Sequence, residues 1–200
     1  MTADPIAAEK AALRKVMRAR RAALTPEVRA QASVAVRDRL LARIAPTTLA
    51  RDAVIAGYWP IRDELDPRPA LQAFAERGYR LALPVSIARG SPLAFRAWSP
   101  GDTLAADIMR IEAPLPSTPS VGPALVLVPM LAFDRACRRL GYGAGFYDRT
   151  LTALRASGAA IAVGLAFSAQ EVDRVPIAAD DAPLDTVVTE SAVITPVSLP

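Results

Sequence analysis

The sequence contains no histidine and a single cysteine, Cys137, among its 200 residues. Without histidine the chain cannot form a Ser-His-Asp triad, an imidazole proton shuttle or a histidine-ligated metal site. A lone cysteine excludes an internal disulfide and a cysteine-rich zinc site. Any chemistry must therefore use carboxylates, arginines, the two lysines, hydroxyls, backbone amides or groups that belong to the substrate itself.

Long apolar runs are also missing. The longest, residues 124–133, contains Pro129 and is far too short to span a bilayer. Charges at Glu9, Lys10 and Arg14 interrupt the apolar core that a secretory signal peptide would need. We therefore expect a cytoplasmic protein with no membrane partner, and the sequence indicates no protein partner.

The composition is that of a globular chain, with 52% hydrophobic and 22% charged residues, and its length predicts one domain over residues 1–200. The net charge of +4 is uneven, because residues 1–50 carry ten basic and four acidic side chains. Such a basic N-terminal region could bind nucleic acid. A solvated helix face with a few phosphate-facing cations is the simpler interpretation, which makes a nucleic-acid partner an unfavoured alternative.

Apolar periodicity predicts an α/β protein. Asp4-Pro5 and Thr25-Pro26 are typical helix starts, the second helix ending before Pro46. Further helices are predicted over residues 67–77 and 145–157, and strands over residues 53–59, 79–84, 92–98, 124–128, 160–165 and 187–188. Because strands alternate with helices and several are apolar throughout, we predict a three-layer sandwich. Its central sheet is mainly parallel or mixed, with helices on both faces.

The most informative segment runs from Val128 to Arg149, from the end of the most apolar strand, through a glycine-rich turn, into a helix. Such a turn offers backbone N–H groups to phosphate, and Arg138 and Arg139 add positive charge. Asp148, in the first turn of the helix, could hold Mg²⁺ that bridges phosphate oxygens. The glycine spacing fits neither a P-loop nor a dinucleotide fingerprint, so an ordinary surface turn is also compatible with it.

This segment closely resembles the signature of the 5-formyltetrahydrofolate cyclo-ligase (methenyltetrahydrofolate synthetase) family, which has the form VPGLAFD followed by RLGYGGGFYDR. Other stretches resemble the family in the same order along the chain. They are Lys10-x-x-x-Arg14, Tyr58-Trp59-Pro60 followed by Glu64, LALPVS at 81–86, LAFRAWSPGDTL at 93–104 and DDAPLDTVVTE at 180–190.

The resemblance implies an ATP- and Mg²⁺-dependent cyclisation of 5-formyltetrahydrofolate to 5,10-methenyltetrahydrofolate, with release of ADP and phosphate. In this reaction the formyl oxygen attacks the γ-phosphate and the substrate's N10 then closes the ring. Both nucleophiles belong to the substrate, so no catalytic side chain beyond the binding residues is expected. The absence of histidine agrees with such chemistry, in which the protein positions ligands and neutralises charge.

The resemblance also implies site residues. It assigns ATP to Lys10, Arg14, Arg139, Leu140, Gly141, Tyr142, Gly143, Ala144, Gly145, Phe146 and Tyr147. It assigns the folate to Trp59, Glu64, Tyr142, Gly143, Ala144, Gly145 and Phe146, and Mg²⁺ to Asp148 and Asp185. Considered without the resemblance, Lys10 and Arg14 could form a solvated helix face, Trp59 could be core packing and Asp185 an exposed loop acid.

Four residues depart from the family pattern. Met130 and Cys137 stand where glycine is frequent, Ala144 replaces a glycine or lysine, and Asp180 stands where histidine is common. If residue 144 needs a positive φ, its Cβ would strain the turn by roughly 1 kcal/mol or more. A weak or silent folate- or nucleotide-binding relative is therefore an alternative. A nucleic-acid-binding module is a more distant one, because residues 1–50 contain no aromatic residue on which bases could stack.

Overall fold

A mixed seven-stranded β-sheet forms the centre of the computed structural model, which describes residues 5–43, 49–50, 52–158 and 160–196. The strands are β1 (Val54–Ala56), β2 (Arg80–Val85), β3 (Ala94–Trp98), β4 (Leu104–Ala106), β5 (Glu112–Pro114), β6 (Leu125–Pro129), β7 (Ala132–Phe133), β8 (Arg139–Leu140), β9 (Ile161–Leu165), β10 (Thr186–Val188) and β11 (Val193–Ile194). The helices are α1 (Pro5–Ala22), α2 (Pro26–Arg43), α3 (Arg68–Glu76) and α4 (Phe146–Ser157).

The order of the strands in the sheet is β11-β10-β9-β6-β1-β2-β3. The five inner strands run parallel, whereas the edge strands β3 and β11 pair antiparallel with their neighbours. The parallel strands therefore end at one common edge of the sheet. Ligands of open α/β sheets bind outside such carboxyl ends.

Alternate side chains of the inner strands enter two separate cores. Ile55 and Leu125 face one core, together with buried residues of α2 and α3. Val54 and Val126 face the opposite core, together with Leu151 of α4. This alternation is what a strand covered on both faces requires. It confirms the predicted three-layer α/β arrangement with helices on both faces of a mixed sheet.

Helix α1 packs near one end of the sheet. Its buried Met17 joins Leu131 and Leu140 of the β7–β8 hairpin in a small third core. Arg20 on the same helix donates a 3.3 Å hydrogen bond to the carbonyl of Ala169. The position of α1 thus depends on segments that follow it by more than 100 residues. None of the helices in the described part of the chain is both long and apolar enough to cross a bilayer.

Most predicted elements are present with shifted ends. The strand predicted over 53–59 is only Val54–Ala56, because after Gly57 the chain leaves the sheet. The β4–β5 and β7–β8 hairpins and β11 were not predicted, since strands of two or three residues are too short to show alternation. Asp4 and residues 44–46, at the predicted start of the first helix and end of the second, lie outside the described residues.

Candidate active site

A cavity of about 350 Å³ opens at the carboxyl ends of β1, β2 and β6. Segments distant in sequence line it: α1, the loop after β1, the end of β2 and the residues after it, the β4–β5 turn, Pro129 at the end of β6, the glycine-rich turn with the residues that flank it, and residues 180–181. Every predicted ATP- and folate-binding residue lies on its wall: Lys10, Arg14, Trp59, Glu64, Arg139, Leu140, Gly141, Tyr142, Gly143, Ala144, Gly145, Phe146 and Tyr147. Asp148 lies there too.

Helix α1 directs its basic face into this cavity. Lys10 and Arg14 are four residues apart and therefore lie on one side of the helix. Lys10 Nζ is 2.5 Å from Asp181 Oδ2, and Arg14 Nε donates a 2.9 Å hydrogen bond to the carbonyl of Gly141. These two cations face the interior of the site. The structure therefore does not support a solvated helix face at these positions.

The glycine-rich turn requires glycine at two positions. Gly143 and Gly145 have φ values of +102° and +67°, which favour glycine. A Cβ at Gly145 would lie 2.5 Å from Arg149 Nη1, and one at Gly143 would lie 3.3 Å from Arg14 Cζ. Ala144 is not among the non-glycine residues with positive φ in the described part of the chain. The strain that would follow from a positive φ at Ala144 is therefore absent.

Arg139 and Asp148 form an ion pair at the base of the turn. Arg139 Nη1 and Nη2 donate to Asp148 Oδ1 at 3.1 and 2.7 Å, and Oδ1 also accepts the N–H of Ala182 at 3.1 Å. Burial lowers the pKa of Arg139, and the charge of Asp148 opposes that effect. The pair fixes the start of α4 relative to β8. Arg138, in contrast, bonds to Asp134 at 2.6 Å and does not line the cavity.

The two acids predicted to bind Mg²⁺ are not brought together. Asp185 Oδ2 accepts the N–H of Ala162 at 2.7 Å and bonds to Arg155 at 3.1 Å. Ala162 lies near the start of β9, at the edge of the sheet opposite the cavity. Arg155 follows Asp148 by seven residues in α4, which is about 10 Å along the helix axis. These contacts hold Asp185 on the side of the sheet away from the cavity, and we therefore do not expect it to share a metal ion with Asp148.

Asp148 can still contribute to a magnesium site. Among the described residues no group of three or more acidic or thiol side chains is arranged to hold a metal ion. Mg²⁺ in nucleotide sites is commonly held by one or two carboxylates together with substrate phosphates, so a full protein cage is not required. In the described part of the chain the hydrogen bonds to Asp148 all fall on Oδ1, which leaves Oδ2 available. Asp180 and Asp181 are further acids on the same wall.

Trp59 and Glu64 lie on the loop that follows β1. The Trp59 ring packs edge-on against Trp98 at 6.3 Å between centroids, with the Arg68 guanidinium 5.0 Å from its centroid. It is thus both a packing residue and part of the cavity wall. Glu64 is 7% exposed, and its Oε2 accepts the N–H of Ile61 at 2.9 Å. Burial raises the pKa of Glu64.

The β4–β5 turn forms a cavity wall that the sequence did not predict. Asp107 Oδ2 accepts the N–H of Ser86 at 2.8 Å, which ties the turn to the end of β2. Its Oδ1 accepts the N–H groups of Met109 at 2.8 Å and Ile111 at 3.1 Å. Met109 and Ile111 line the cavity as a result. In the sequence this turn shows only as an aspartate before a short loop. The structure adds that Arg110 in this loop has a φ of +59°.

Arg21 was also missed, although its position carries a signal. Residues 10, 14, 17 and 21 follow the spacing of a single helix face, so Arg21 extends the line of Lys10, Arg14 and Met17. Arg21 is 1% exposed and bonds to Asp63 Oδ1 at 2.9 Å and to the hydroxyl of Tyr142. Because most residues of α1 are exposed, the charge of Arg21 alone predicts a solvent-facing side chain, although its spacing places it on the buried face.

Two of the departures from the family pattern have local explanations. Cys137 has φ +57° in the β7–β8 turn, a conformation that favours glycine. Burial raises the pKa of its thiol to about 11, which fits an inert residue. The Met130 side chain packs against Gly164, where a Cβ would lie 2.3 Å from Met130 Cε. The larger side chain at 130 is thus accommodated by the smallest one at 164.

Comparison with known proteins gives consistent results. The model of the 5-formyltetrahydrofolate cyclo-ligase family matches residues 6–190. The 5-formyltetrahydrofolate cyclo-ligase of Escherichia coli strain K12 is 32% identical over 184 residues, which cover 89% of this chain and 98% of the relative. That of Mycolicibacterium smegmatis is 40% identical over 116 residues, covering 54% and 60%.

Solved structures show the same fold. The 5,10-methenyltetrahydrofolate synthetase of Aquifex aeolicus superposes with a TM-score of 0.74 at 32% identity, covering 93% of this chain and 92% of that one. The synthetase of Mycoplasma pneumoniae, at 22% identity, has a TM-score of 0.70 over 90% and 98% of the two chains. The second likeness concerns the fold alone.

Proposed function

Because the chain belongs to the 5-formyltetrahydrofolate cyclo-ligase family, an enzyme family, we propose that it converts 5-formyltetrahydrofolate to 5,10-methenyltetrahydrofolate. The reaction uses ATP with Mg²⁺ and releases ADP and phosphate. The observation that carries this proposal is a single cavity lined by two chemically different regions. One region offers cations and a glycine-rich turn, and the other offers an aromatic ring and a buried carboxylate.

The cationic region suits a polyphosphate. Arg14 bonds to the turn at Gly141, Lys10 lies on the same face of α1, and Arg139 pairs with Asp148 at the base of the turn. The turn ends at the N-terminus of α4, where N–H groups favour an anion. Lys10 pairs with Asp181 and Arg14 with the carbonyl of Gly141. ATP phosphates would replace these partners. Asp148, whose Oδ2 accepts no hydrogen bond in the described part of the chain, would hold Mg²⁺, and the metal would supply charge neutralisation to the phosphates.

The second region suits the reduced pterin. A carboxylate can accept two hydrogen bonds side by side, so Glu64 matches adjacent N–H donors on the edge of a pterin ring. Trp59 supplies an apolar face beside it. Glu64 and Trp59 lie on a loop distinct from the cations. The folate and the nucleotide therefore meet along the glycine-rich turn, which borders both regions.

This arrangement accounts for the reaction without a protein nucleophile. The formyl oxygen attacks the γ-phosphorus and ADP departs, giving a phosphorylated formyl group. N10 of the folate then attacks the formyl carbon and loses its proton, and phosphate leaves with the former formyl oxygen. The protein contributes alignment of the two ligands and stabilisation of phosphoryl charge, as in other phosphoryl-transfer sites.

A turnover assay tests the proposal. Purified protein with Mg²⁺, ATP and 5-formyltetrahydrofolate is expected to produce methenyl absorbance and ADP in equal amounts. Reactions without ATP, or with the metal chelated, should give neither. Absence of product with ATP and with every other nucleoside triphosphate would refute the proposed function.

Variants on the two regions separate the two ligands. Glu64→Gln is expected to raise the KM for the folate with little change in the KM for ATP. Lys10→Met should instead raise the KM for ATP with little change in the KM for the folate. Arg20→Met, on the exposed side of α1, is the matched control and should leave both constants unchanged.

A further inference from the structure

Arg21 lies behind the cavity wall at a point where three segments meet. Its Nη2 donates to Asp63 Oδ1 at 2.9 Å and to the hydroxyl of Tyr142, and its Nη1 donates to the carbonyl of Met130 at 3.4 Å. The guanidinium carbon is 5.6 Å from the centroid of the Tyr142 ring. Arg21 does not itself line the cavity. Within the described part of the chain its Nε has no hydrogen-bond partner.

The bond from Arg21 determines where the Tyr142 proton points. Arginine has only donors, so the Tyr142 oxygen must act as the acceptor in that contact. A phenol has a single proton, which must then be directed away from the guanidinium. Tyr142 lines the cavity, and so does Glu64. The Tyr142 hydroxyl therefore accepts from Arg21 and keeps its own proton to donate to another acceptor.

Glu64, which shares the cavity wall with Tyr142, is close enough to accept a hydrogen bond from the Tyr142 hydroxyl. Burial raises the pKa of Tyr142 to about 12, and the negative charge of Glu64 nearby acts in the same direction. Burial raises the pKa of Glu64 itself, while the N–H of Ile61, the charge of Arg21 and the Tyr142 hydroxyl lower it. The other groups that face Glu64 are Asp63, which raises its pKa, and the hydroxyls of Tyr58 and Tyr147.

We infer that Arg21 is a positioning residue: through the Tyr142 hydroxyl it holds the Glu64 carboxylate ionised and oriented for the pterin, without touching either ligand. The assignment of the pterin to Glu64 rests on the proposed function. The Arg21–Tyr142–Glu64 arrangement does not. Arg21 replaces, from behind the wall, the solvent that an ionised carboxylate would otherwise need at this depth.

The first test uses ligand-free protein. The pKa of Glu64 is measured by ¹³C NMR of the side-chain carboxyl carbon, whose signal is assigned by its loss in Glu64→Gln. Arg21→Met should raise the pKa of Glu64 by about one pH unit, a usual effect when a carboxylate loses a nearby cation. Arg21→Lys, which keeps the charge, should restore part of the difference. Arg20→Met is the control and should leave it unchanged.

A double-mutant cycle tests whether the effect passes through Tyr142. Tyr142→Phe removes the hydroxyl and keeps the ring, and should also raise the pKa of Glu64. If Arg21 acts partly through that hydroxyl, adding Arg21→Met to Tyr142→Phe should raise it less than Arg21→Met does in the wild-type background. Equal increments in the two backgrounds, or an unchanged Glu64 pKa in Tyr142→Phe, would overturn the inference. Should Arg21→Met not fold, Arg21→Lys and Tyr142→Phe serve the same cycle.

The dissociation constant of 5-formyltetrahydrofolate without ATP connects this arrangement to the site. We expect Arg21→Met to weaken folate binding about tenfold at a pH where Glu64 of this variant is largely protonated. In proteins that also carry Glu64→Gln, adding Arg21→Met should no longer change the dissociation constant. Weakened binding that persists in Glu64→Gln would overturn the role of Glu64. A wild-type protein without turnover would refute the proposed function and leave the ligand-free titration as an independent result.

Discussion

Asp148 provides the sharpest test of the site, because its structural and chemical roles can be separated. Its Oδ1 accepts three hydrogen bonds, two of them from Arg139 and one from the N–H of Ala182. The Arg139 side chain is 4% exposed and that of Asp148 is 23% exposed. Asp148→Ala therefore leaves a nearly buried guanidinium without its counter-charge.

The expected cost follows from that geometry. Removing one partner of a buried ion pair destabilises by about 3 kcal/mol, at the lower end of the usual range because Asp148 is partly solvated. For a chain of this size, that lowers the Tm by roughly 6–12 °C. Asp148→Asn keeps an oxygen for the three donors and loses only the charge, so we expect a loss of about 1–2 kcal/mol. Thermal unfolding without ATP and Mg²⁺ measures both.

The chemical role is measured as the rate against Mg²⁺ concentration at saturating folate. With Asp148 as a metal ligand, Asp148→Asn should need at least about tenfold more Mg²⁺ for half-maximal rate. Asp185→Asn is the matched control, since Asp185 lies at the opposite edge of the sheet and should leave the Mg²⁺ dependence unchanged. If folded Asp148→Asn needed no more Mg²⁺ than the wild type, the assignment of Asp148 as a metal ligand would be refuted. If Asp185→Asn needed more Mg²⁺ than the wild type, Asp185 would be a second metal ligand after all.

Three further predictions concern packing, pH and the cavity wall. Gly164→Ala should destabilise by about 1–3 kcal/mol, because its Cβ would lie 2.3 Å from Met130 Cε and 2.6 Å from Leu184 Cδ1; Met130→Ala should relieve the part of this loss that comes from Met130, and additive effects in denaturant unfolding would contradict the packing account. Burial raises the pKa of Glu64 above its ordinary value of 4.5, so the folded state favours the protonated carboxyl. The stability that this gives is fully present below pH 4.5 and is lost as the pH rises through the raised pKa of the folded state. Glu64→Gln should therefore have a higher Tm than the wild type at pH 7 and no advantage at pH 4, and an equal Tm difference at both pH values would exclude this cause. Asp107→Ala removes the acceptor of two backbone N–H groups in the β4–β5 turn and of one, that of Ser86, just after β2, and should raise the KM for the folate several-fold, with Asp102→Ala in the preceding turn as control.

The parts of this protein that sequence predicts well are those with local causes. The β6 strand is a continuous apolar run, and the turn before α4 has glycine where the backbone needs positive φ. Apolar periodicity gave the α/β class and the resemblance gave the residues around one cavity. Both kinds of inference depend on neighbouring residues, whose spacing is visible in the chain.

The parts that were missed depend on long-range geometry. Asp185 resembles a metal ligand in sequence, and only the direction of β9 shows that it lies at the edge of the sheet opposite the cavity. Arg21 resembles its exposed neighbours Arg18 and Arg20, and only its burial and its hydrogen bonds to Asp63 and the Tyr142 hydroxyl distinguish it. The β4–β5 turn has strands too short to carry a pattern, although Asp107 organises it.

The contact between Lys10 and Asp181 has a consequence for how the protein is made. The two residues are 171 positions apart, so α1 leaves the ribosome long before its partner is synthesised. At ordinary rates of translation that interval is roughly 10–30 s. During it the basic face of α1 has none of the contacts at residues 141, 142 and 181 that the finished site gives it. The active site is thus assembled as a late event of biosynthesis, when the last part of the chain reaches the first.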